Sequence, residues 1–290
     1  MHKDSSANSM NKTVLITGCS TGIGYCVARE LHKLGYRVFA TARKPQDVAR
    51  LKQDGLTSFL LDLDDSKSIH RCVDDVLTLT DGRIDVLFNN GAYGQPGAVE
   101  DLSRQTLLAQ LQTNLLGTME LTNSVIPIMR KNKFGRIIQN SSVLGIISLP
   151  FRGAYNTSKY ALEGLSDTLR LELAGTGIFV SIIEPGPIES EFRKNALAAY
   201  RKNIDRDNSV NRETYLHLEK RLAKTGHTTA FTLPPQAVLK KVIHAIESPR
   251  PKIRYYVTFP TYLFATLKRV LPHRALDWML LKVSKSEHKE

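Results

Sequence analysis

The sequence contains few of the features that mark secreted, metal-binding or membrane-spanning proteins. Its three cysteines form no pairing scheme and no metal-ligand spacing, which is typical of a reducing compartment and favours the cytoplasm. The eight histidines form no H-x-x-x-H or H-E-x-x-H pattern, so no catalytic metal is expected. The longest uncharged apolar run, Tyr255–Leu267, has 13 residues, short of the roughly 20 that span a bilayer.

The chain also contains no internal repeat and no low-complexity linker. The polar stretch Met1–Lys12 lacks the apolar segment of a secretory signal, and we expect it to be a flexible tail. A length of 290 residues allows one well-buried domain and is short for two. Residues 1–290 are therefore predicted to form a single domain.

Acidic side chains are scarce in the last third of the chain. Residues 1–190 carry 20 basic and 19 acidic side chains, whereas residues 191–290 carry 20 basic and 9 acidic ones. This basic excess could contact nucleic-acid phosphates, but no recognition motif accompanies it, so no nucleic-acid partner is predicted. The apolar and basic tail, residues 255–290, leaves two alternatives open: helical packing within the protein, or peripheral contact with an anionic membrane.

What the chain does contain is a regular alternation of short β-branched runs and longer amphipathic segments. This pattern predicts a Rossmann fold of the α/β class, a doubly wound parallel sheet of about seven strands with helices on both faces. The predicted strands are Thr13–Thr17, Arg37–Thr41, Thr57–Leu61, Val86–Phe88, Arg136–Asn140, Phe179–Glu184 and Arg254–Phe259. The predicted helices are Gly24–Leu34, Arg104–Lys131 with a kink or end at Pro127, Ala154–Ala174 and Gln236–Ile246. Residues 187–233 are predicted to be loop and short helix, and to form a substrate lid.

A glycine-rich turn follows the first predicted strand, and a helix begins directly after it. Glycines let the backbone approach a pyrophosphate, and the helix N-terminus offers free N–H groups to the anion. The turn reads Thr17-Gly18-Cys19-Ser20-Thr21-Gly22-Ile23-Gly24. Its strand–turn–helix context predicts a dinucleotide site. The residues assigned to that site are Gly18, Ser20, Gly22, Ile23 and Gly24.

The end of the second strand selects between the two nicotinamide dinucleotides. An acidic residue there would bind the ribose hydroxyls of NAD, whereas an arginine would hold the 2′-phosphate of NADP. Here Arg43 follows the strand and no acid occurs before Asp47, so NADP(H) is predicted in preference to NAD(H). After the third strand, Asp62 and Leu63 are predicted to lie beside the adenine.

A tyrosine and a lysine four residues apart form the candidate catalytic pair. On the predicted helix, Tyr155 and Lys159 share one face. A phenol with a pKa of about 10 is a poor acid-base catalyst near neutral pH, and a nearby ammonium group lowers that pKa. Ser142, at the end of a predicted strand, is expected to hydrogen-bond the substrate oxygen while Tyr155 transfers the proton.

Taken together, these pieces resemble the short-chain dehydrogenase/reductase family over about residues 12–190. The signature pieces occur in the family's order: Thr17–Gly24, Asn89–Ala92, Asn114, Ser142, Tyr155 with Lys159, and Pro185-Gly186. The resemblance implies that Lys159 also holds the nicotinamide ribose and that Asn114 maintains a water-linked proton path to Lys159. It further implies that the nicotinamide is lined by Pro185, Gly186, Ile188 and Ser190, that Asn90 and Gly91 contact the cofactor, and that the protein is a homodimer or homotetramer.

One tetrapeptide departs from the family pattern. The family usually reads Asn-Asn-Ala-Gly where this chain has Asn89-Asn90-Gly91-Ala92, so the permissive glycine moves by one place along a segment expected to contact the cofactor. Segments 18–20, 40–43 and 184–187 are similar to the branch that contains 17β-hydroxysteroid and retinol dehydrogenases and their bacterial relatives. That similarity implies a lipophilic aldehyde, ketone or alcohol, such as a steroid or a retinoid-like compound.

Three hypotheses for the function follow from the sequence. The first is an active NADP(H)-dependent oxidoreductase that transfers a hydride between nicotinamide and a carbonyl or alcohol. The second is a catalytically silent NADP(H)-binding regulator, which predicts loss of Ser142, Tyr155 or Lys159, yet all three are present. The third is a binding protein that uses its basic surface. Oxidation of NADPH by the purified protein in the presence of carbonyl compounds would separate them.

Overall fold

In the computed structural model, seven strands form one parallel sheet. The structure describes residues 12–224, 226 and 231–289, without the side chains of 285–289. The predicted flexible tail therefore lies outside the described residues, apart from Lys12. The strands are β1 Thr13–Ile16, β2 Arg37–Ala42, β3 Thr57–Leu60, β4 Val86–Asn89, β5 Gly135–Asn140, β6 Ile178–Glu184 and β7 Arg254–Tyr256.

Helices connect the strands and follow them along the chain. They are α1 Gly22–Lys33, α2 Pro45–Gln53, α3 Ser66–Leu79, α4 Arg104–Leu111, α5 Thr118–Lys131, α6 Gly153–Glu172, α7 Phe192–Asn203, α8 Arg212–Ala223, α9 Gln236–Glu247, α10 Phe259–Val270 and α11 His273–Lys289. No helix in the described part of the chain is both long enough and apolar enough to cross a membrane.

The order of the strands places the functional edge of the sheet. It is β3-β2-β1-β4-β5-β6-β7, and every neighbouring pair is parallel. The order reverses direction between β1 and β4, and ligands of such sheets bind beyond the carboxyl ends of the strands at that point. The predicted doubly wound fold is therefore confirmed.

Two hydrophobic cores cover the two faces of the sheet, which explains why its strands are apolar almost throughout. One core joins β1, β2 and β4 to α1, α2 and α9. The other core lies on the opposite face of the sheet. There it joins β1, β2, β4, β5 and β6 to α3, α5 and the end of α6. A parallel sheet buried on both faces needs continuous rather than alternating apolar runs. This burial fixes the strands whose ends carry the candidate site.

The predicted helix Arg104–Lys131 is helical along its whole length, and its π-helical irregularity does not lie at Pro127. A π-helical segment, Gln112–Gly117, separates α4 from α5, while Pro127 lies inside α5. The reason is tertiary contact on the segment. A Cβ on Gly117 would lie 1.8 Å from the Leu63 carbonyl oxygen, and the Asn114 side chain is bonded to the backbone of Tyr93. π-Helical bulges of this kind frequently occur at functional sites.

The prediction of loop and short helix for residues 187–233 underestimates the amount of helix in its described part. Two helices of 12 residues each, α7 and α8, occupy much of it. Their packing combines two aromatic residues with branched apolar ones: Tyr200 and Tyr215 are buried with Leu218 and Leu222 in a small core that includes Leu102 and Phe151. The Tyr215 hydroxyl donates to Asp101 at 2.5 Å and accepts from the Ala98 N–H at 2.9 Å.

The last predicted strand is shorter than expected. β7 ends at Tyr256, and Phe259 begins α10, so the tail at 255–290 contains two helices. Their apolar sides pack on the segment after Ser142, in a core whose members are Val143, Ile146, Ile147, Leu149, Phe264, Leu267, Leu276, Leu280 and Val283. Packing within the protein therefore accounts for one side of these helices. Their other side remains exposed.

Candidate active site

The glycine-rich turn lies between β1 and α1 in a conformation that only glycine adopts freely. Gly18 has φ +70° and Gly22 has φ +58°. A Cβ on Gly18 would lie 2.7 Å from the Cα of Gly91. Thr21, which precedes α1, makes no side-chain cap. The first N–H groups of α1 are thus left for an anion, and the turn fits the pyrophosphate of a dinucleotide.

Asn90 and Gly91 brace this turn from the end of β4. The Asn90 side-chain amide donates to the carbonyls of Thr17 and Gly18 at 3.0 and 3.2 Å, and its oxygen accepts from Asn140 at 2.9 Å. The backbone N–H groups of Asn90 and Gly91 both donate to the Thr17 hydroxyl at 2.8 Å. These bonds hold the turn against β4.

The structure also explains how the chain tolerates its Gly91-Ala92 order. Neither residue has a positive φ, so the backbone does not require glycine at the position of Ala92, where the family usually has it. A Cβ on Gly91 would lie 3.3 Å from Leu63 and from the Thr17 hydroxyl, which is tight but not prohibitive. The departure from the family pattern therefore leaves the turn intact.

Three predicted cofactor residues follow the ends of β2 and β3. Arg43 is exposed directly after β2. Asp62 is half-buried and accepts from the Asp64 N–H at 3.1 Å. Leu63 is buried and packs near Gly91 and Gly117. Leu63 therefore supports the turn from behind, while Arg43 is free of the hydrophobic core and accessible from solvent.

Ser142 and Tyr155 meet across the end of β5. Ser142 begins a short 3₁₀ turn, where its hydroxyl accepts from the Leu144 N–H at 3.1 Å. Tyr155 lies in the first turn of α6, and Ser142 is the polar side chain that acts on its hydroxyl. The ring of Phe192 packs edge-on against Tyr155 at 5.3 Å between centroids. The phenol thus has a polar partner at its hydroxyl and an apolar neighbour at its ring.

Lys159 lies one turn further along α6 and is 3% exposed. Its ammonium group lies 5.6 Å from the centroid of the Tyr155 ring. Burial lowers the pKa of Lys159 to about 8, and the charge of Glu163 opposes that fall. Burial also raises the pKa of Tyr155, with the Ser142 hydrogen bond opposing it. The expected lowering of the Tyr155 pKa by Lys159 is therefore outweighed by burial of the phenol.

Asn114 lies in the π-helical segment and is almost fully buried. Its side-chain oxygen accepts from the Tyr93 N–H at 3.1 Å, and its amide donates to the Tyr93 carbonyl at 2.9 Å and to the Ser158 hydroxyl at 3.1 Å. Ser158 in turn donates to the Tyr155 carbonyl at 2.8 Å. Asn114 therefore ties the segment after β4 to the catalytic turn of α6; its part in a proton path stays a prediction.

The segment after β6 closes the other side of the site. The Val143 N–H donates to the Pro185 carbonyl at 2.8 Å, and a Cβ on Gly186 would lie 2.1 Å from the Thr258 hydroxyl. Ile188 pairs with Leu233 in a short bridge. Ser190 lies against the turn, since a Cβ on Gly22 would be 2.9 Å from the Ser190 Cβ. This segment therefore spans from the catalytic serine to the glycine-rich turn.

One cleft of about 1990 Å³ joins these parts. Its polar lining includes Gly18, Ser20, Gly22, Asn90, Gly91, Ser142, Tyr155, Lys159, Gly186 and Ser190. Its apolar lining includes Val143, Ile147, Leu149, Phe192, Leu197, Phe231, Phe259, Leu263 and Phe264. Gly24, Asn114, Arg43, Asp62 and Leu63 lie outside this lining. Among the described residues, no group of His, Cys, Asp or Glu could hold a metal ion.

Two features of the site were missed in the sequence. Phe192 lies in the segment predicted as loop, where a single aromatic residue gives no periodic signal. The cluster of Glu163, Glu184 and Arg254 forms from three separate elements, and Arg254 is 70 residues from Glu184. Only the i, i+4 spacing of Glu163 from Lys159 could have been noticed, and that spacing is common on helices.

The fold and the site together define a nicotinamide-dependent oxidoreductase. The sequence profile of the short chain dehydrogenase family matches residues 12–201. The chain belongs to the short-chain dehydrogenase/reductase family, as its motifs predicted. It is 44% identical over 271 residues to the uncharacterized oxidoreductase YbbO of Escherichia coli K12, covering 93% of this chain and 94% of that protein.

Two human relatives are also similar along most of their length. Human 17-beta-hydroxysteroid dehydrogenase type 1 is 32% identical over 84% of this chain and 77% of its own length. Human retinol dehydrogenase 8 is 33% identical over 89% of this chain and 85% of its own length. A crystal structure of a short-chain dehydrogenase from Streptomyces avermitilis superposes with a TM-score of 0.72 at 27% identity, covering 95% of this chain and 98% of that one. The predicted branch of the family is therefore confirmed.

Proposed function

We propose that this protein is an NADP(H)-dependent oxidoreductase that interconverts a lipophilic carbonyl compound and its alcohol. The observation that carries the proposal is the single cleft that joins the glycine-rich turn to Ser142, Tyr155 and Lys159. An anion-binding helix terminus at one end and an acid-base pair at the other are what a dinucleotide-dependent reductase needs. A catalytically silent regulator would have no need of the acid-base pair.

The cofactor would be held by the turn residues Gly18, Ser20, Gly22, Ile23 and Gly24, by Asn90 and Gly91, and by Pro185, Gly186, Ile188 and Ser190. Bound there, the dinucleotide supplies the hydride. Tyr155 donates its phenolic proton to the carbonyl oxygen in reduction and accepts it in oxidation. Ser142 orients that oxygen by a hydrogen bond, and the charged Lys159 favours the phenolate that remains. Asn114 keeps the catalytic turn of α6 in place.

The preference for NADP(H) rests on Arg43. Its guanidinium is exposed directly beyond β2 and so can reach a 2′-phosphate on the adenosine ribose. Asp62 and Leu63 would border the adenine from the end of β3. A guanidinium offers a phosphate two parallel hydrogen bonds, which a ribose hydroxyl cannot use equally well.

The lipophilic nature of the substrate rests on the walls of the cleft beside Tyr155. Phe192 packs against the phenol, and Leu149 and Leu197 line the same space. Two relatives are named as a 17-beta-hydroxysteroid dehydrogenase and a retinol dehydrogenase. Residues 187–233 would act as the lid, because α7 begins at Phe192 and Ile188 pairs with Leu233 at its base. Residues 225 and 227–230 of this predicted lid lie outside the described residues.

The test is oxidation of NADPH by the purified full-length protein with a panel of carbonyl compounds. The panel pairs long-chain, steroidal and retinoid-like aldehydes or ketones with small polar ones, and NADH replaces NADPH in a parallel series. Turnover with lipophilic members and NADPH, absent in a Tyr155→Phe variant, is the expected result. Tight binding of NADPH without turnover on any member would favour the silent regulator instead.

We also propose that the protein forms a homodimer or homotetramer. Leu108 on α4, and Leu165 and Leu171 on α6, are large apolar side chains left exposed on neighbouring helices. A second copy packed on these helices would remove them from water. Light scattering of the eluting protein measures the mass; a monomer at micromolar concentration would contradict the proposal.

A cytoplasmic location with peripheral membrane contact is the last part of the proposal. The three free cysteines suit a reducing compartment. α10 exposes Phe259, Tyr262 and Leu263, and Phe231 packs on Phe259 at 5.3 Å between ring centroids. Phe231, Phe259 and Leu263 line the cleft. An apolar mouth on a basic third of the chain would suit contact with anionic lipid, from which a lipophilic substrate could enter.

A further inference from the structure

A row of ionisable residues leads away from the catalytic phenol along α6. Tyr155, Lys159, Glu163 and Asp167 are spaced by four residues, so they share one face of the helix. Glu163 is 7% exposed, one turn beyond Lys159. The catalytic ammonium group therefore has a buried carboxylate as its neighbour on the same helix.

Arg254 on β7 joins this row to the end of β6. Its guanidinium bonds Glu163, donates to Glu184 at 2.7 Å and donates to Asp167 at 2.6 Å. Glu184 is fully buried and directly precedes Pro185-Gly186, which line the cleft. One cation is thus shared by three carboxylates from two elements.

The shared cation cannot satisfy all three carboxylates equally. Burial and the negative charge of Glu163 raise the pKa of Glu184 to about 8, with Arg254 opposing them. Burial raises the pKa of Glu163 as well, but Ser141 and the cation of Arg254 oppose that rise and favour the charged form of Glu163. Tyr256 also faces this cluster: burial and the charge of Glu184 raise its pKa, while Arg269 on α10 opposes them.

Glu163 is held in place beside the catalytic residues. A Cβ on Gly145, in the turn that follows Ser142, would lie 3.0 Å from a carboxylate oxygen of Glu163. The Ser141 hydroxyl lies beside that oxygen and lowers the pKa of Glu163, while the second oxygen of Glu184 has no hydrogen-bond partner within the described residues. The carboxylate is therefore packed under the active-site turn, where its charge acts on Lys159 with little screening by water.

The geometry points to Glu163 as a positioning residue that keeps Lys159 protonated, with Arg254 holding the Glu163 carboxylate in place. This inference rests on the proposed acid-base role of Lys159. Burial lowers the pKa of Lys159 to about 8 even with the opposing charge of Glu163 beside it. Without that charge, Lys159 would lose its proton at a lower pH. Above that pH, no positive charge would stabilise the Tyr155 phenolate.

The test compares Glu163→Gln with Asp167→Asn in the full-length protein. Both variants remove one carboxylate from Arg254, but only the first removes the charge next to Lys159. We expect Glu163→Gln to move the alkaline limb of the pH profile of kcat/KM down by about one pH unit, the effect of losing a nearby opposite charge. Asp167→Asn should leave the alkaline limb at the wild-type pH. Glu163→Asp, which keeps the charge, should also show the wild-type limb.

A second measurement needs no turnover, so it separates failure of this inference from failure of the proposed function. Because the folded protein releases the Lys159 proton at lower pH than the unfolded chain does, Lys159 contributes a rise in the free energy of unfolding between about pH 8 and 10.5. In Glu163→Gln this rise should begin at lower pH, and adding Lys159→Met should abolish the difference. An unchanged alkaline limb and an unchanged onset in a folded Glu163→Gln variant would overturn the inference, as would an equal shift in Asp167→Asn.

Discussion

The ammonium group of Lys159 donates a 2.7 Å hydrogen bond to the backbone carbonyl of Asn140, the last residue of β5. This bond ties the catalytic turn of α6 to the carboxyl end of the sheet. Asn140 also donates to Asn90, which braces the glycine-rich turn. A short path of three residues therefore connects the acid-base pair to the cofactor turn, and both ends of the cleft are positioned by the same strands.

Tyr155→Phe should abolish turnover while the fold and cofactor binding survive. The change removes only the hydroxyl that moves the proton, and general acid-base catalysis contributes roughly 10²–10⁴-fold. The measurements are kcat with the best carbonyl substrate and the Kd for NADPH. A variant that keeps more than about a tenth of wild-type turnover would show that Tyr155 does not transfer the proton.

Arg43→Ala should weaken NADPH much more than NADH. A charge-assisted contact to phosphate contributes about 1.5–3 kcal/mol, or roughly 10- to 150-fold in affinity. Fluorescence titration of both cofactors measures this, and Arg37→Ala, which changes an exposed arginine at the start of the same strand, is the matched control. Equal weakening of both cofactors, or a wild-type preference for NADH, would contradict the role of Arg43.

Glu184→Gln should change how stability depends on pH. Wild-type Glu184 keeps its proton in the folded state to about pH 8, well above its ordinary pKa of 4.5. Between those values the folded state binds the extra proton, so wild-type stability falls as the pH rises. Glutamine resembles the protonated form at every pH. The variant should therefore gain about 1–3 kcal/mol relative to wild type between about pH 5 and pH 9.

Urea unfolding at a series of pH values measures this difference. Glu172→Gln, at the exposed end of α6, is the control and should track the wild type. A constant offset between Glu184→Gln and wild type across the whole range would mean that Glu184 is ionised throughout.

The lid should become more protected when ligands bind. α7 and α8 pack through their own small core rather than through the main sheet, so they can move as a unit. Hydrogen exchange across residues 190–224 should slow with NADPH plus substrate, while exchange across β1 and β4 stays unchanged. Unaltered exchange in α7 would remove the lid assignment.

Membrane contact should depend on the exposed aromatic residues of the C-terminal helices. Phe259 and Trp278 are 60% and 59% exposed, and the Lys282 ammonium lies 3.7 Å from the Trp278 ring centroid. Flotation with anionic vesicles at low salt should retain the full-length protein and lose the Phe259→Ser/Trp278→Ser variant. Leu34→Ser, a comparably exposed apolar site at the end of α1, should still float. If wild-type protein ignores anionic vesicles at low salt, these residues have another partner.

The sequence by itself determined the sheet, the family and the order of the motifs. Buried parallel strands need continuous apolar runs, and a glycine turn or a Tyr–Lys pair acts through neighbours a few residues away, so each leaves a local pattern. Only the tertiary structure decided where the Arg104–Lys131 helix contains a π-helical segment, because Gly117 meets a carbonyl from another segment. The same holds for α7 and α8, which are stabilised by Tyr215 reaching Asp101 across 114 residues.

The electrostatics of the site belong wholly to the tertiary structure. The sequence placed Lys159 beside Tyr155 and predicted a lowered pKa for the phenol. Burial raises that pKa instead, and the spacing of the two residues does not reveal how deeply the phenol is buried. Arg254 and Glu184 lie far from Lys159 in the chain, and neither carries a motif. Their charges act on one another because β6 and β7 pair in the sheet and α6 packs on β6.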